Sequence, residues 1–493
     1  MSVSRRDFLK TSAIGSTGLV LGFSLTGIKN NTVAGLKSAS PNAFLEIDSD
    51  NNITIFSPQS EMGQDVYTSM PMLIAEELEV DLQSVRVEIG KPGPTEYNNS
   101  YFGVQLVGAS TSVRAFWEKL RRAGASAKAM LISAAAQGWG VDSSTCMVKN
   151  GIVFGPSGQK ASYGEVAEAA ARLEIPKEVE LKPSSEWKYI GNSQFRRLDT
   201  KDKVTGKAKF SIDTKLPGMR YAAIRMPSII GATVVAYDDS RAKALPGVDK
   251  IVKLEPFSTF GGLVNGGVAV VAESYWIAKQ ALDLIDIKWD GSKNENFGSS
   301  DLWEGLEKAA ETPGLPFRSE GDLERGLADS AKTLRASYKM PFLSHAPMEP
   351  VCCTADVSQN RATIIVGHQL QTLIPSEVGK ITGLKPEQVE VHTTFVGGGF
   401  GRKHGMDFVL QAAFISKESG VPVNLIWSRE DDMTHDSYRP AAIINMEAGL
   451  DPQGNPIAMR FESTSPSISA IYFPPLIVDG IDPWSVEGID NYP

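Results

Sequence analysis

The chain has 493 residues, and its 49 lysines and arginines against 58 aspartates and glutamates give a net charge of −9. This length suggests about three domains, and the acidic balance argues against a nucleic-acid scaffold or a polybasic membrane binder, which need a positive field. Three cysteines, Cys146, Cys352 and Cys353, are too few for a disulfide framework, a zinc site or an iron–sulfur cluster held by the chain's own thiolates.

The N-terminus carries the pair Arg5-Arg6, followed by a modestly apolar stretch from Ile14 to Ile28. That stretch is too short for a stable membrane span, and each of its glycines costs about 1 kcal/mol in a helix interior. We therefore predict a twin-arginine export signal over residues 1–38 and a periplasmic location. No A-x-A cleavage site is visible, which leaves open an uncleaved signal that anchors the protein to the membrane.

The first module after this signal begins with alternating apolar and polar residues from Phe44 to Phe56, which predict a β-hairpin. A helix, a strand and two further helices are then predicted at residues 69–79, 85–89, 112–136 and 162–173. The stretch 175–185 is interpreted as a linker.

A second module begins near Phe195, and residues 292–320 after it are polar and predicted to be irregular. Its predicted elements are strands at 219–226 and 268–272, a helix at 274–284 and a strand at 285–289. A third module begins near Leu334. Its predicted elements are strands at 362–366, 389–395 and 421–427 and a helix at 407–419 that Gly420 ends. Strands and helices alternate without a strict βαβ rhythm, so the predicted fold class is multidomain α+β.

The first and third modules share a spacing. Gln64 is followed by a helix and, 21 positions on, by a strand at Val85, and Gln369 is followed by a helix-like segment and, 20 positions on, by a strand at Val389. We interpret the two modules as copies of one plan that each present a glutamine at an equivalent place. Helix–loop–strand units are common, so a chance match is the alternative.

The strongest chemical signal is the glycine loop, defined as Gly397-Gly398-Gly399-Phe400-Gly401-Arg402, between a predicted strand and a predicted helix. Glycine adds no side chain and costs backbone entropy, but it lets main-chain N–H groups approach an anion closely. The loop is neither a Walker A motif nor G-x-G-x-x-G, since Arg402 stands where the last glycine belongs. A glycine-rich β-bulge without a ligand is the alternative.

Two further polar segments are candidates for ligand binding. Gly108 to Ser112 starts the long helix with the hydroxyls of Ser110, Thr111 and Ser112, and a helix N-terminus is a ready phosphate site, although simple N-capping would need one hydroxyl. Gln64 offers a neutral amide between a strand and a helix. The five histidines lack metal-ligand spacing, and only His404, beside the glycine loop, is favoured for function.

Together these segments resemble the molybdenum-binding large subunits of the xanthine oxidase and aldehyde oxidoreductase family. Gly367-His368-Gln369 with the glycine loop is similar to the family's molybdenum-cofactor loop, 345–350 to its H-x-x-M-E-P segment, and 198–206, 216–219 and 270–276 to its hammerhead domain. The segments 61–64, 75–78 and 163–166 together resemble a segment of the family that most relatives place after the glycine loop. Here it comes first, and this order, with 427–433 and 438–440, is similar to the family branch formed by the isoquinoline 1-oxidoreductase β subunits.

The resemblance implies a domain order. After the signal at 1–38 it implies a first molybdopterin-binding module at 41–175, a hammerhead domain at 195–292 and a molybdopterin-binding domain at 334–493 that is incomplete at its C-terminus.

The resemblance also implies a cofactor, molybdopterin in its cytosine dinucleotide form, with no protein side chain bound directly to the metal. Gln369 would lie near the metal's apical oxo group, and Gln64 with the Gly108–Ser112 run would hold the pterin and its phosphates. The remaining implied cofactor-binding residues are Gly398, Gly399, Phe400, Gly401 and Arg402. His404 would lie on the substrate side, where xanthine-oxidising relatives carry a glutamate, so purine specificity is not expected.

The implied protein is a subunit of an exported hydroxylase that oxidises an isoquinoline-like N-heterocycle with oxygen from water. Its electrons would pass to [2Fe–2S] clusters on a separate small subunit, since this chain lacks the cysteines for them. The other implied partners are the twin-arginine export machinery and a small-molecule substrate, and no nucleic acid. The alternatives are an aldehyde oxidoreductase subunit, a truncated relative without cofactor and, more weakly, a nicotinamide dehydrogenase.

The catalytic residue stays unknown, because relatives place a further molybdenum-contacting loop and the catalytic glutamate well beyond the equivalent of Tyr492-Pro493. General-base help is worth about 10²–10⁴-fold in rate. We therefore expect these 493 residues alone to be inactive.

Overall fold

The computed structural model describes residues 18–21, 44–93, 95–291, 294–472 and 474–486. The arginine pair predicted to direct export lies outside these ranges. Within them the strands are β1 (Gly18–Leu21), β2 (Leu45–Asp48), β3 (Ile53–Ser57), β4 (Arg86–Ile89), β5 (Met147–Lys149), β6 (Ile152–Phe154), β7 (Lys160–Ser162), β8 (Arg220–Arg225), β9 (Thr233–Asp238), β10 (Val248–Leu254), β11 (Phe257–Thr259), β12 (Gly262–Val264), β13 (Gly267–Ala272), β14 (Asp286–Asp290), β15 (Lys332–Met340), β16 (Cys352–Val357), β17 (Ala362–Val366), β18 (Val389–Thr393), β19 (Val423–Ile426), β20 (Ala442–Leu450) and β21 (Pro456–Thr464). The helices are α1 (Val66–Leu78), α2 (Ser112–Trp139), α3 (Tyr163–Ala170), α4 (Thr200–Val204), α5 (Ser240–Lys243), α6 (Tyr275–Leu282), α7 (Ser299–Ala310), α8 (Leu323–Ala328), α9 (Ile374–Thr382), α10 (Asp407–Ser419), α11 (Arg429–Thr434) and α12 (Ser469–Tyr472).

The chain divides into two compact units. The first unit comprises residues 1–215, 359–379 and 383–403, and the second comprises 216–358, 380–382 and 404–493. The Gly108–Ser112 run, Gln369 and the glycine loop therefore all belong to the first unit, although they are far apart in the sequence.

One sheet of the first unit has the strand order β1-β2-β3-β4. The predicted hairpin is confirmed as β2 and β3, which pair antiparallel around Asn51, a residue type that tolerates its left-handed φ of 66°. Helix α1 then crosses over to β4, which runs parallel to β3. The prediction placed the start of this helix at residue 69, with Pro71 in the first turn. The helix instead begins at Val66, so Pro71 lies inside it.

The core of the first unit is built on the packing of α1 against α2. Gly124 allows this close approach, because a Cβ built there would lie 2.5 Å from the main-chain oxygen of Ile74. Around this contact Leu73, Ile74, Phe116 and Leu120 are fully buried. Helix α2, predicted from its alanine content at 112–136, is confirmed and extends to Trp139.

The first unit contains a second strand–helix–strand segment with the same order, β17-α9-β18, in which β17 and β18 are parallel. The shared plan is thus present, but the predicted equivalence of the two glutamines is wrong. Gln64 lies seven residues beyond the end of β3, whereas Gln369 lies three residues beyond the end of β17. The sequence spacing was misleading because two differences offset each other. Gln64 lies closer to the start of its helix than Gln369 does, but α1 is longer than α9, with 13 residues against 9.

In the second unit, five adjacent strands follow the order β10-β13-β8-β19-β16. Strand β13 is buried at all six positions, as expected for a central strand. The predicted helix at 407–419 is confirmed as α10, and Gly420 ends it with a left-handed φ of 73°.

A separate three-stranded sheet of the second unit has the order β15-β20-β21. The prediction that 292–320 is irregular is wrong, because helix α7 lies within that stretch. The side chain of Asp301 caps the helix by accepting a hydrogen bond from the Gly298 amide at 2.7 Å. Leu306 of this helix packs with Ile443 of β20. The segment is mostly polar, but its narrow apolar face is enough to stabilise a helix against the sheet.

Candidate cofactor site

The glycine loop follows β18 and forms a tight turn. Gly398 and Gly401 adopt φ angles of 91° and 103°, which suit glycine, and Phe400 is held at 55°. Phe400 is 69% exposed. A bulky residue at positive φ is a true conformational outlier, so the turn presents an aromatic ring to solvent at a cost in backbone strain.

Two main-chain amides of the loop are taken up by local hydrogen bonds. The amide of Gly398 donates to the oxygen of Val396 at 2.9 Å, and the amide of Arg402 donates to the oxygen of Gly399 at 2.8 Å. Within the part of the chain that the structure describes, the amides of Gly399 and Phe400 donate no hydrogen bond. The loop therefore offers two main-chain donors to an anion, fewer than its glycine content suggests.

Gln369 connects the glycine loop to a distant segment of the same unit. Its side-chain Oε1 accepts a hydrogen bond from the amide of Gly401 at 3.1 Å, and its Nε2 donates to the oxygen of Val107 at 3.0 Å. Its main chain is fixed as well, because its amide donates to the oxygen of Lys403 and its oxygen accepts from the amide of Val107. With 3% of its surface exposed, this amide has one orientation.

Gly399 lies where a side chain cannot fit. A Cβ built there would be 2.3 Å from Oε1 of Gln369 and 2.6 Å from Cε of Met62. Met62 belongs to the segment 61–64, which carries part of the family resemblance. The structure thus brings this segment together with Gln369 and the glycine loop.

The Gly108–Ser112 run also reaches this neighbourhood, through Val107. Ala109 and Ser110 have φ angles of 47° and 51°, and two consecutive left-handed non-glycine residues are unusual. The hydroxyl of Thr111 donates to the oxygen of Gly108 at 2.8 Å, and that of Ser112 donates to Oε1 of Gln59 at 3.0 Å. Of the three predicted hydroxyls, only that of Ser110 belongs to an exposed residue.

Gln64 is exposed at the tip of a short turn. Gly63 before it and Asp65 after it have φ angles of 99° and 69°. The carboxylate of Glu61 accepts hydrogen bonds from the amides of Gly63 at 2.6 Å and Tyr67 at 3.0 Å, and so closes the turn from inside.

The remaining predicted residues are placed differently. Arg402 and Lys403 are fully buried at the end of the first unit, and His404, partly buried, is the first residue of the next segment of the second unit. Cys352 and Cys353 are buried, and burial raises the pKa of the Cys353 thiol.

The negative charge of Glu61 is balanced by a cluster of ionisable side chains on the segment 197–203, namely Arg197, Asp199 and Lys203. Burial alone would raise the pKa of the Asp199 carboxyl, but hydrogen bonds from Arg197 and Lys203 outweigh it and lower that pKa below its usual value. The hydrogen bond to Asp199 raises the pKa of Arg197. Asp199 and Arg197 are therefore both ionised at neutral pH.

Sequence reasoning missed several residues that hold this arrangement. Glu61 and Met62 were quoted only as part of a motif, and Val107 carries no chemical signal because it acts through its main chain. Gln105 and Gln371 are also buried here, beside the paired residues Leu106 and Leu370. An alternation of amide and apolar residues at 369–371 was the available signal.

Two features are absent from the described residues. No group of three or more histidine, cysteine, aspartate or glutamate side chains there could hold a metal ion. None of the described helices combines the length and the apolar character that a bilayer crossing requires.

Two family models match the chain, both described as a molybdopterin cofactor-binding domain, over residues 309–467 and 6–212. Among curated relatives, a membrane-bound aldehyde dehydrogenase [pyrroloquinoline-quinone] of Gluconacetobacter polyoxogenes is 28% identical and covers 100% of this chain and 65% of its own length. The β subunit of isoquinoline 1-oxidoreductase of Brevundimonas diminuta is 26% identical, over 96% of this chain and 65% of its own length. A nicotinate dehydrogenase subunit of Pseudomonas putida is 23% identical, over 89% of this chain and 36% of its own length. The chain thus spans about two thirds of the length of the first two and about a third of the last.

Proposed function

Because the chain belongs to the xanthine oxidase family of molybdopterin-binding proteins, we propose that it is the cofactor-binding subunit of an exported hydroxylase acting on an N-heterocycle. When bound, the cofactor supplies a molybdenum centre at which oxygen from water is transferred to the substrate and electrons are taken up. The chain's own residues bind and orient that group.

The observation that carries the proposal is the amide of Gln369, fixed between the Gly401 amide and the Val107 oxygen. This neutral amide, held in one orientation at the base of the glycine loop, fixes the loop's main chain for a bound group without adding charge. Gly399 keeps that position clear of any side chain. The amides of Gly399 and Phe400 are the donors left over for a negatively charged group.

The residues present fit a phosphate-bearing cofactor. The first-turn amides of α2 have no partners within the helix, the positive end of its dipole favours an anion, and Ser110 is exposed there. We assign the pterin and its phosphates to the Gly108–Ser112 run and Gln64, and the metal's surroundings to Gln369 and Gly398–Arg402. His404 is assigned to the substrate side.

An aromatic substrate is supported by the exposed ring of Phe400. A planar heterocycle can stack on such a ring, and aromatic pairs contribute about 0.5–1.5 kcal/mol beyond the area they bury. Two of the three relatives are named for N-heterocycles, isoquinoline and nicotinate, and one for an aldehyde. Aldehyde oxidation is therefore the second candidate.

The proposal extends to the cofactor's form, the partner and the location. We propose the cytosine dinucleotide form of molybdopterin, a separate [2Fe–2S] subunit as electron acceptor, since the chain has three cysteines, and export through the Arg5-Arg6 signal to the periplasm. Acid hydrolysis of the purified protein should release cytidine monophosphate. Release of no nucleotide would contradict the dinucleotide form.

The activity is tested by co-producing the chain with a small iron–sulfur subunit and supplying isoquinoline-type heterocycles or aromatic aldehydes with an artificial electron acceptor. Hydroxylated heterocycle carrying oxygen from labelled water supports the proposal. Turnover of aldehydes alone favours the second candidate.

A further inference from the structure

We propose that Glu61 is the positioning residue of this site, and that its buried carboxylate sets the place of both Met62 and Gln64. The inference rests on the proposed function, because it concerns the same cofactor. Glu61 is not itself expected to contact the cofactor, since its side chain is fully buried.

The first step is the turn itself. Between Glu61 and α1 the main chain passes through two left-handed residues, Gly63 and Asp65. Positive φ suits Gly63, but for Asp65 it is a disfavoured conformation that the surroundings must stabilise. Here the two oxygens of one carboxylate accept the amides of Gly63 and Tyr67, one on each side of Gln64. The position of Gln64 is therefore set by Glu61.

The second step is the charge. Glu61 lies 3.3 Å from Arg197 and 3.2 Å from Lys203, and both cations also bind Asp199. A buried carboxylate is tolerated when it is paired and hydrogen-bonded, and removing one partner leaves the others uncompensated. A neutral amide at position 61 would keep the shape of the side chain but would weaken these contacts.

The third step is the link to the glycine loop. The main-chain oxygen of Glu61 accepts a hydrogen bond from the amide of Val396 at 2.9 Å. Val396 immediately precedes the glycine loop, and Met62 packs at Gly399 within that loop. One residue thus holds the Gln64 turn with its side chain and the start of the glycine loop with its main chain.

The chain offers a matched control in Glu76. Its side chain is also fully buried, and its carboxylate accepts amides of Lys188, Tyr189 and Ile190 and lies 3.3 Å from Lys182. The contacts are of the same kind as those of Glu61. None of these partners belongs to the candidate site.

The experiment compares Glu61→Gln with Glu76→Gln in the full chain. Pterin and molybdenum bound per chain are measured after expression in a host that makes the cofactor, together with stability in urea. We expect E61Q to lower bound pterin at least tenfold, and E76Q to leave it within twofold of the unchanged chain at a similar or larger loss of stability. Equal pterin content in E61Q and the unchanged chain would overturn the inference.

A second readout does not depend on the cofactor. In chain produced without molybdenum or pterin, hydrogen exchange of at least one of the amides of Gly63 and Tyr67 should accelerate at least tenfold in E61Q, because glutamine keeps only one acceptor oxygen, and exchange of both should stay unchanged in E76Q. Unchanged exchange in E61Q would overturn the positioning role. If the unchanged chain binds no pterin, the proposed function fails while this readout still decides the role of Glu61. Should E61Q not fold, Glu61→Asp, which keeps the charge but shortens the reach, is compared in the same way.

Discussion

Single glycines decide how closely the segments of the candidate site approach. The clearest case is Gly399, where an added methyl group would meet the side chains of Gln369 and Met62 at 2.3 and 2.6 Å. Neither neighbour can move freely, because Gln369 is hydrogen-bonded at both ends of its amide. The next residue, Phe400, is strained because a residue with a side chain disfavours the left-handed φ of 55° that it adopts.

Gly399→Ala is expected to destabilise the protein by about 1–3 kcal/mol, the usual cost of overpacking, and to displace the Gln369 amide. Urea unfolding measures the stability, and bound pterin measures the effect on the site. Gly305→Ala, in helix α7 with no atom within 4 Å of the new Cβ, is the control and should not destabilise. Wild-type stability and pterin content in G399A would contradict the geometry described for the loop.

Phe400→Gly should behave in the opposite way. A left-handed conformation costs an L-residue about 1–2 kcal/mol, glycine pays about 0.5–1 kcal/mol in entropy, and the exposed ring buries little surface. The free energy of unfolding should therefore stay unchanged or rise by up to about 1.5 kcal/mol, while affinity for an aromatic substrate falls. A loss of stability well above 1 kcal/mol in urea unfolding would show that the ring is packed.

Residue types that bond through side chains were the ones the sequence could predict. Gln369 and the glycine loop were singled out in advance, and the structure joins them. Val107 and Glu61 were not, because Val107 contributes its main chain and Glu61 acts across a turn whose left-handed residues no local pattern specified.

At the level of elements, helix α2 contains two glycines with opposite surroundings. A Cβ at Gly124 would lie 2.5 Å from the main chain of α1, whereas a Cβ at Gly138 would meet nothing within 4 Å. Backbone cannot give way as a flexible side chain can, so the two positions should respond differently to the same substitution.

Gly138→Ala is expected to stabilise the protein by up to about 1 kcal/mol, since alanine is the better helix former. Gly124→Ala should destabilise it by about 1–3 kcal/mol, because α1 and α2 must separate. Urea unfolding of the two variants side by side provides the measurement. A stabilising effect of G124A would show that α1 and α2 are not in the close contact described.

Helices were predicted well where caps and periodicity agreed. The bounds of α10 and its glycine terminator were foreseen from the local sequence, whereas α7 was missed because its apolar stripe is narrow among charged residues. The pairing of β8 with β19, which are distant in the sequence, has no local signature. Long-range strand order could therefore not be predicted.

Across the whole molecule, buried carboxylates couple stability to pH. Burial would raise the pKa of Glu76, but hydrogen bonds from the amides of Lys188, Tyr189 and Ile190 outweigh it, and the pKa of this carboxyl is lowered from 4.5. That of Asp199 is lowered from 3.8 for the reason given above. A lowered pKa in the folded state means that the contribution is complete above the ordinary pKa and is lost as pH falls through the folded value.

The free energy of unfolding should therefore be flat near neutral pH and fall as the pH drops below about 5. Urea titrations at a series of pH values measure this. Glu76→Gln removes one such group, so its stability should be lower at pH 7 and should depend less on pH in the acid range. An E76Q curve parallel to that of the unchanged chain would contradict the linkage.

The account as a whole depends on the first unit, where segments that are distant in the sequence meet around Gln369. The measurement that tests it most directly is the amount of molybdenum and of pterin in the purified protein from a host that makes the cofactor. We predict about one of each per chain when the site is filled, with both lost together in G399A. A folded preparation that contains neither metal nor pterin would contradict the assignment of this site.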